Sequence, residues 1–375
     1  MRARSLAPPQ EVSTPGGNFG LMETHSLIGS LSNAFGVSGF EDDVRRMIEA
    51  LVAPWADDVR TDVLGNLLVT RRGGAGRQAG RTVMLDAHMD EIGFIITYVE
   101  PDGFLRFTTI GGWDARLLLA HAVTIRTRDG ALVRGVIGSL PPHILTAEER
   151  ERPVPLDALY VDIGAQSAGE AAQRGVRVGD PATIAYPCEH LPDGLIMGKA
   201  LDDRAGCAVL IKTLEALAGT PVDGTLVCAF TIGEETGLRG ARTAAYQIEP
   251  DVALAIEGTV ASDLPGVPGP KQVTRLGGGT VITIADRSMI VRPQLVHALE
   301  RVAEANDIPY QHKRPPYGGT DAGAIHTSRA GVLAGSVSVP CRYIHSPLSL
   351  LRLSDFDATV RLVTAFVREV PRLFE

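Results

Sequence analysis

The 375-residue chain is poor in aromatic residues and carries more acidic than basic side chains. Aromatic residues make up 5% of it, and its net charge at pH 7 is -8. A net negative charge gives no indication of a basic surface that would bind nucleic acid. With so few aromatic rings, the chain is also poorly equipped to stack against sugars in a binding groove. Because no apolar run approaches about 18 residues, we expect no membrane span. The first residues hold two arginines but no apolar segment before Pro8, which predicts no secretory signal.

Cysteine is also scarce, and the four cysteines lie far apart. They are Cys188, Cys207, Cys228 and Cys341, and no two of them form a Cys-x-x-Cys pair. This scatter favours buried thiols in a reducing compartment, so we expect a cytoplasmic protein. With 45% hydrophobic residues, a chain of this length can bury a sizeable core and is expected to divide into two domains.

Five short segments contain most of the chemically informative residues, because each combines His or carboxylate side chains. They are His88-Met89-Asp90-Glu91, Asp202-Asp203-Arg204, Glu234-Glu235, Glu257-Gly258 and Tyr343-Ile344-His345. Two divalent ions about 3.5–4 Å apart need mixed imidazole and carboxylate ligands, with one carboxylate that bridges both ions. A further carboxylate that is not a ligand can take the proton of an activated water. The pattern therefore predicts a two-metal hydrolase.

Each segment also has a plainer interpretation when it is taken alone. A His with a nearby acid is often a structural pair, paired acids often lie on a solvated surface, and acids often begin helices. The catalytic interpretation is favoured because all five segments follow strand-like runs, and ligands in open α/β sheets gather beyond the carboxyl ends of the strands. The runs are residues 82–85, 194–197, 226–232, 252–256 and 335–339.

Longer stretches around these residues carry a resemblance to a known family. They read AHMDEIG (87–93), ALDDRAG (200–206), GEETGLRGA (233–241), GGTDA (318–322) and RYIHSP (342–347). In this order they resemble the M42 family of metallo-aminopeptidases, of the tetrahedral or TET type. The resemblance runs from about Leu27 to the C-terminus and includes the non-catalytic stretches 62–66 and 110–114.

The resemblance implies a role for each site residue. One divalent ion is expected at His88, Asp202 and Glu257, and the other at Asp202, Glu235 and His345, with Asp202 as the bridge. Zinc or cobalt suits this set, with manganese as an alternative. Resemblance to the wider clan of dinuclear peptidases also implies a cis peptide bond between Asp202 and Asp203.

Two more residues complete the expected site. Glu234 matches the general acid/base of the family. Asp90 is the second candidate catalytic residue, because on an extended backbone it shares a face with His88 and can orient that imidazole. Glu257 departs from the family pattern, in which many members carry Asp, and its longer side chain leaves the preferred metal open. The stretch 318–322 is interpreted either as a turn that caps a helix or as part of the substrate pocket, and the two are compatible.

The distribution of apolar stretches and turn residues along the chain predicts its domains. Residues 1–25 are rich in Pro, Gly, Ser and Thr and indicate a flexible tail. Residues 93–187 consist of short apolar stretches between turn signals, which predicts an inserted small β-barrel. Residues 26–92 and 188–375 are expected to form an α/β catalytic domain with a mixed sheet. In the family the inserted domain mediates dimerisation, so a homo-oligomer is expected, most simply a dodecamer built from dimers.

Together these features favour an aminopeptidase that removes N-terminal residues from short peptides. An acylamino-acid deacylase is the nearest alternative, because it shares the metal chemistry and differs only in its pocket. An endoglucanase-type glycosidase could use paired carboxylates such as Glu234 and Glu257, but it leaves His88 and His345 without a role. A non-catalytic assembly protein of the same fold is disfavoured, because Glu234 is intact. The sequence leaves the preferred N-terminal residue open.

Overall fold

The described residues form one large mixed sheet, covered by helices, and a separate closed barrel. The computed structural model describes residues 22–73, 80–314 and 317–373. Most of the predicted tail, residues 1–25, lies outside these ranges, and the first helix already begins at Thr24. The expected α/β class with a mixed sheet is confirmed.

The elements are numbered in chain order. The strands are β1 (Asp58–Thr61), β2 (Leu67–Arg72), β3 (Thr82–His88), β4 (Gly93–Val99), β5 (Leu105–Ile110), β6 (Ala122–Arg126), β7 (Leu132–Gly138), β8 (Tyr160–Asp162), β9 (Pro181–Ile184), β10 (Glu189–Leu191), β11 (Leu195–Gly198), β12 (Thr225–Thr231), β13 (Val252–Val260), β14 (Thr280–Thr283), β15 (Tyr310–Lys313), β16 (Leu333–Arg342) and β17 (Ser349–Arg352). The helices are α1 (Thr24–Asn33), α2 (Asp42–Val52), α3 (Ala147–Glu151), α4 (Ala168–Gln173), α5 (Leu201–Ala216), α6 (Arg239–Ile248), α7 (Pro293–Ala305), α8 (Ala322–Ile325) and α9 (Leu353–Leu373).

The large sheet has 11 strands, and its centre determines where the predicted site residues lie. The order is β1-β2-β12-β3-β13-β16-β17-β11-β10, with β14 and β15 attached beside β16. Strands β12, β3, β13 and β16 are parallel. Strand β11 runs in the same direction as β16, because both are antiparallel to β17. The carboxyl ends of all five strands therefore meet at one edge of the sheet.

Both faces of this sheet are buried, which explains the nearly continuous apolar runs in its central strands. In β3, Val83 and Leu85 pack into the larger cluster with α1, α2, α5, α7 and α9. Met84, on the opposite face, packs with α6 and α8. Within the described residues, no helix is both long enough and apolar enough to cross a membrane. All four cysteines are free thiols; Cys188 is partly exposed and the other three are buried.

The barrel closes in the order β4-β5-β8-β7-β6-β9, and every one of its strands lies within residues 93–187. It has its own apolar core, in which Phe94 packs edge-on against Phe107 and stacks on Trp113. The short helices α3 and α4 also lie in this segment. The chain thus leaves the sheet at the end of β3 and returns to it at β10.

Arg204, near the start of α5, is buried completely and ties several segments together. Its Nε donates a hydrogen bond to the carbonyl of Met89 at 2.7 Å, and its Nη2 donates to the carbonyl of Gly36 at 3.1 Å. Its Nη1 donates to the carbonyl of Ala34 at 3.1 Å. The planar guanidinium thus fixes the end of β3 against the start of α5, a role that its five donors in a rigid fork allow.

We expect Arg204→Lys to lower the free energy of unfolding of the subunit, because one ammonium cannot reach the carbonyls that the guanidinium contacts. The loss should be on the order of 3 kcal/mol, the scale for breaking a buried charged network. Urea denaturation followed by circular dichroism measures it. Arg46→Lys is the matched control, since that side chain is 64% exposed. Equal stability of the two variants would contradict the role given to Arg204.

Candidate metal centre

The predicted ligands meet at the carboxyl edge of the central strands. His88 is the last residue of β3, and Asp202 lies at the start of α5, just after β11. Glu235 follows β12, and His345 follows β16. Glu257 differs from the expectation for a strand end, because β13 continues past it to Val260. The Asp202–Asp203 peptide bond is cis, as the resemblance implied.

Two groups of side chains share Asp202, and they match the two ligand sets expected from the sequence. The groups are His88, Asp202 and Glu257, and Asp202, Glu235 and His345, with ligand atoms within 4.8 Å of one another in each group. Asp202 Oδ1 lies 3.6 Å from His88 Nε2, and its Oδ2 lies 3.6 Å from His345 Nε2. One carboxylate thus faces both imidazoles, as a bridge between two ions requires.

Main-chain carbonyls set the orientation of both imidazole rings. The Nδ1 of His88 lies 3.1 Å from the carbonyl oxygen of Asp90, and the Nδ1 of His345 lies 3.0 Å from that of Gly112. When Nδ1 donates its proton to a carbonyl, Nε2 keeps a free lone pair. In both rings this Nε2 points at the shared carboxylate.

The Asp90 side chain has a further role that sequence reasoning missed. Its Oδ1 is 3.4 Å from His88 Nδ1, so the carboxylate can help to orient the His88 ring. It also accepts hydrogen bonds from the main-chain N–H groups of Glu234 at 3.1 Å and Glu235 at 3.2 Å, and from Ser38 Oγ at 2.6 Å. Asp90 therefore holds the turn after β12 in place. In the sequence, the only signal for this role was that Asp90 follows His88 by two residues.

Asp321 is another residue whose contribution was not foreseen. It precedes α8 but makes no side-chain cap, so the capping hypothesis for this stretch is not supported at Asp321. Its main-chain N–H instead donates to Glu257 Oε1 at 2.9 Å and holds the carboxylate of that expected ligand. Its carboxylate accepts a hydrogen bond from Thr231 at 3.1 Å. No side-chain motif could show this contact, because the donor is a backbone group.

The electrostatics of the cluster suit cations. Burial raises the pKa of Glu235 to about 8 despite the opposing charge of His345. Burial lowers the pKa of His345, but the nearby carboxylates of Asp202 and Glu235 outweigh it and raise that pKa to about 9. Buried acids packed this closely repel one another. Imidazole and carboxylate donors at these spacings fit zinc, cobalt or manganese, so the residues present fit the implied ions.

Glu234 lies in the same cluster but not in either group that contains Asp202. Its Oε2 is 4.0 Å from His88 Nε2, and with His88 and Glu235 it forms a third possible ligand group. Burial raises its pKa to about 8, against the opposing charge of His88. It therefore lies beside both groups that share Asp202.

The inserted barrel touches the site directly through the turn after β5. Gly112 supplies the carbonyl that faces His345, and a Cβ on Gly112 would lie 3.1 Å from His345 Nδ1. At the neighbouring Gly111, where φ is +75°, a Cβ would lie 3.0 Å from Glu235 Oε2 and 2.4 Å from Ile92 Cγ2. Only glycine allows the barrel to approach this closely. Sequence reasoning missed this contribution of the barrel, because a backbone atom makes it.

We expect Gly112→Val to displace His345 and weaken the site formed by Asp202, Glu235 and His345, while the site at His88 and Glu257 keeps its ion. Removing one positioning contact of a ligand typically costs 10–100-fold in metal affinity. Metal analysis after dialysis against a weak chelator measures the loss.

The control for this variant is Gly169→Val, since an added Cβ there meets only Ser167 Oγ at 3.8 Å. If Gly112→Val retained both ions with unchanged affinity, the barrel carbonyl would have no positioning role.

The ligand groups open into a cavity of about 420 Å³. Its other walls come from the turn after β12, the end of β13, the end of β15 and the glycines before α8; they include Leu238, Val260, Lys313, Tyr317, Gly318, Gly319 and Ile344. Gly318 and Gly319, the first two residues of the Gly-Gly-Thr-Asp-Ala stretch, thus line the cavity, which supports the pocket interpretation for that end of the segment.

Comparison with known proteins gives the family. The sequence profile described as M42 glutamyl aminopeptidase matches residues 65–362. The lysyl aminopeptidase of Pyrococcus furiosus is 34% identical over 338 residues, which cover 89% of this chain and 94% of that protein. The solved structure of aminopeptidase APDkam598 from Desulfurococcus kamchatkensis is 41% identical with a TM-score of 0.88, covering 92% of this chain and 94% of that one.

A second solved structure is that of the TET1 peptidase of Pyrococcus horikoshii, described as able to assemble into a tetrahedron or a large octahedral shell. It is 33% identical with a TM-score of 0.82 and covers 92% of this chain and all 100% of its own. The family profile, the related sequence and the two solved structures all match most of the chain, including both the sheet domain and the barrel. The chain is a peptide hydrolase that belongs to the M42 family of aminopeptidases.

Proposed function

We propose that the protein is an aminopeptidase that depends on two divalent metal ions and removes N-terminal residues from short peptides. The observation that carries this proposal is the pair of ligand groups joined by Asp202. His88 and Glu257 complete one set, and Glu235 and His345 complete the other. Zinc or cobalt is proposed for both positions, with manganese as the alternative, because imidazole nitrogen favours these ions over magnesium or calcium.

The bound ions would supply an activated water and polarise the scissile carbonyl. Side chains of the protein then transfer the proton that the water loses. Glu234 accepts a proton from the water and returns it to the departing amine, which requires a carboxylate beside the ligands but outside them. Asp90 holds the main chain of Glu234 and Glu235, so the base and a ligand keep a fixed spacing.

Two other activities compete with this proposal. A glycosidase that works with two carboxylates would leave unexplained why His88 and His345 both aim Nε2 at Asp202. It would also survive chelation, whereas a metal-dependent peptidase would not. An acylamino-acid deacylase shares the whole metal centre, so only the free or blocked state of the substrate amine separates it from the aminopeptidase.

We expect the metal-loaded protein to hydrolyse aminoacyl anilides with a free amine and to leave their acetylated forms intact. In Glu234→Gln, turnover should fall by several orders of magnitude, because the amide cannot accept the proton; base catalysis alone accounts for about 10²–10⁴-fold. Both ions should stay bound, because the ligands are other residues. Anilide release and metal analysis on the same sample measure the two effects.

Glu151→Gln, a change at an exposed residue of α3, is the control and should keep full turnover. Hydrolysis of the acetylated substrates alone would make the protein a deacylase. Loss of an ion from Glu234→Gln would show that Glu234 is a ligand and that its assignment as the base is wrong.

We also propose that the barrel joins subunits into a large homo-oligomer, most simply twelve subunits. The barrel exposes Leu132, Leu140 and Ile144, which are 59%, 60% and 68% accessible in the subunit. Leu140 borders an apolar cavity of about 390 Å³ formed with Leu145, Val154 and Pro155. Exposed apolar area of this kind indicates a contact surface, and a repeated two-fold contact can close a symmetric particle.

We expect light scattering of the metal-loaded protein to show a particle much larger than a dimer. Replacing Leu140 and Ile144 together by Asp should reduce it to smaller species, because each charge would be buried in the contact. Replacing the exposed Tyr246 and Ile290 of the sheet domain by Asp serves as the comparison. A stable wild-type monomer with full peptidase activity would contradict the proposed homo-oligomer.

A further inference from the structure

The turn that presents His345 contains two residues with left-handed backbone conformations. It joins β16 to β17, and φ is +63° at Tyr343 and +57° at His345. This region favours glycine, because a Cβ comes too close to the following carbonyl oxygen. Neither residue is glycine, and such conformations persist only where the surrounding structure holds them. Contacts around the turn are therefore needed to keep His345 in its position.

Packing alone does not hold the His345 side chain in place. This side chain is 39% exposed, whereas that of His88, the imidazole of the other ligand group, is 1% exposed. The Nε2 atom of His345 lies 3.6 Å from Asp202 Oδ2 and 3.4 Å from Glu235 Oε1. These two distances therefore depend on the conformation of the turn as well as on the contact with the Gly112 carbonyl.

Two serine hydroxyls hold the main chain of this turn. Ser346 Oγ lies 2.6 Å from the carbonyl oxygen of Tyr343 and 2.6 Å from that of Leu348. Ser349 Oγ donates to the same Tyr343 carbonyl at 3.1 Å. The hydroxyl of Ser346 thus links the first left-handed residue to the chain that follows His345. Hydrogen bonds from serine to the nearby main chain stabilise turns in this way.

Other contacts fix the two ends of the turn to segments that carry proposed ligands. Before the turn, Arg342 donates from Nε and Nη2 to the two carboxylate oxygens of Asp263, at 2.9 and 2.6 Å. Asp263 follows β13, the strand that contains Glu257. After the turn, Ser349 pairs with Gly198 at the end of β11. Because both ends are held, the contacts within the turn determine the direction of its imidazole.

We propose that Ser346 is a positioning residue for the metal centre, because its hydroxyl holds the left-handed turn that directs His345 at Asp202. Loss of this hydroxyl should weaken the metal position that contains His345 and spare the position that contains His88. The inference rests on the proposed two-metal aminopeptidase. Gly112 acts on the same ligand through the ring, and Ser346 acts on it through the main chain.

The test removes the hydroxyl in Ser346→Ala. Metal-loaded protein is dialysed against a graded series of chelator concentrations, and the metal that stays bound is measured per subunit. We expect the affinity for one of the two ions to fall about 10–100-fold, the range for removing a contact that orients a ligand. The other ion should be lost at the same chelator concentration as in the wild type. Ser346→Thr keeps a hydroxyl and should retain most of the affinity.

The matched control is Ser167→Ala in the barrel. Ser167 Oγ also makes one hydrogen bond with the main chain, from the N–H of Glu170 at 3.2 Å at the start of α4. Its loss should leave the affinity for both ions unchanged. Retention of both ions by Ser346→Ala, or release of both ions together, would overturn the positioning role of Ser346.

A double-mutant comparison identifies the metal position that is affected. His345→Ala should keep one ion, at the position that contains His88. Adding Ser346→Ala to it should leave the affinity for that remaining ion unchanged, because the ligand on which Ser346 acts is already absent. A further loss of affinity in the double variant would contradict the proposed path through His345.

A second double variant tests the backbone conformation itself. Asn adopts the left-handed region more readily than Tyr does. Tyr343→Asn should therefore reduce the need for the hydroxyl, and when it is added to Ser346→Ala it should restore much of the affinity for the lost ion. Absence of any recovery would show that Ser346 does not act through the left-handed turn.

The outcomes separate this inference from the proposed function. A wild-type protein that holds two ions, with a Ser346→Ala variant that holds both equally well, would remove the role of Ser346 while the metallo-aminopeptidase stands. A wild-type protein that binds no ion, or that hydrolyses anilides at full rate after chelation, would instead remove the proposed metal dependence and with it the premise of the inference.

Discussion

The buried network of Glu91 and Arg204 is the constraint on which the rest of the site depends. Arg204 lies two residues after Asp202, the proposed bridging ligand, and Glu91 lies three residues after His88, a second proposed ligand. Glu91 accepts hydrogen bonds from Lys199 and from Thr183 of the barrel, and lies 3.5 Å from Arg204 Nη2. The network thus joins the end of β3, the start of α5 and the barrel. Residues outside the two proposed ligand sets therefore hold the segments of His88 and Asp202 together.

This arrangement gives the inserted barrel a place in the site as well as on the surface. Its strand β9 reaches the network through Thr183, and the turn after β5 reaches His345 through Gly112. Both contacts need close approach, so a shift of the barrel relative to the sheet would move a ligand. If the barrel also carries the subunit contact proposed above, assembly and the geometry of the metal centre share one rigid element, and a change in one bears on the other.

The sequence predicted the parts of the structure that side-chain type and spacing determine. The mixed sheet and the convergence of His88, Asp202 and His345 follow from strand-like runs that end in metal-seeking residues. The barrel within residues 93–187 follows from short apolar stretches separated by turn signals. It could not predict contacts made by the backbone. The carbonyl of Gly112, the N–H of Asp321 and the N–H groups held by Asp90 are common to all residue types, and only the folded chain shows which of them approach a ligand.

The metal centre shows a further limit of this kind. Its acids lie close enough to repel one another, and burial raises the pKa of Glu234 and Glu235 to about 8. Cations held between these carboxylates would offset that repulsion. The sequence identifies the residue types that attract a cation, and their burial in one cluster, which only the folded chain shows, makes a bound cation favourable there.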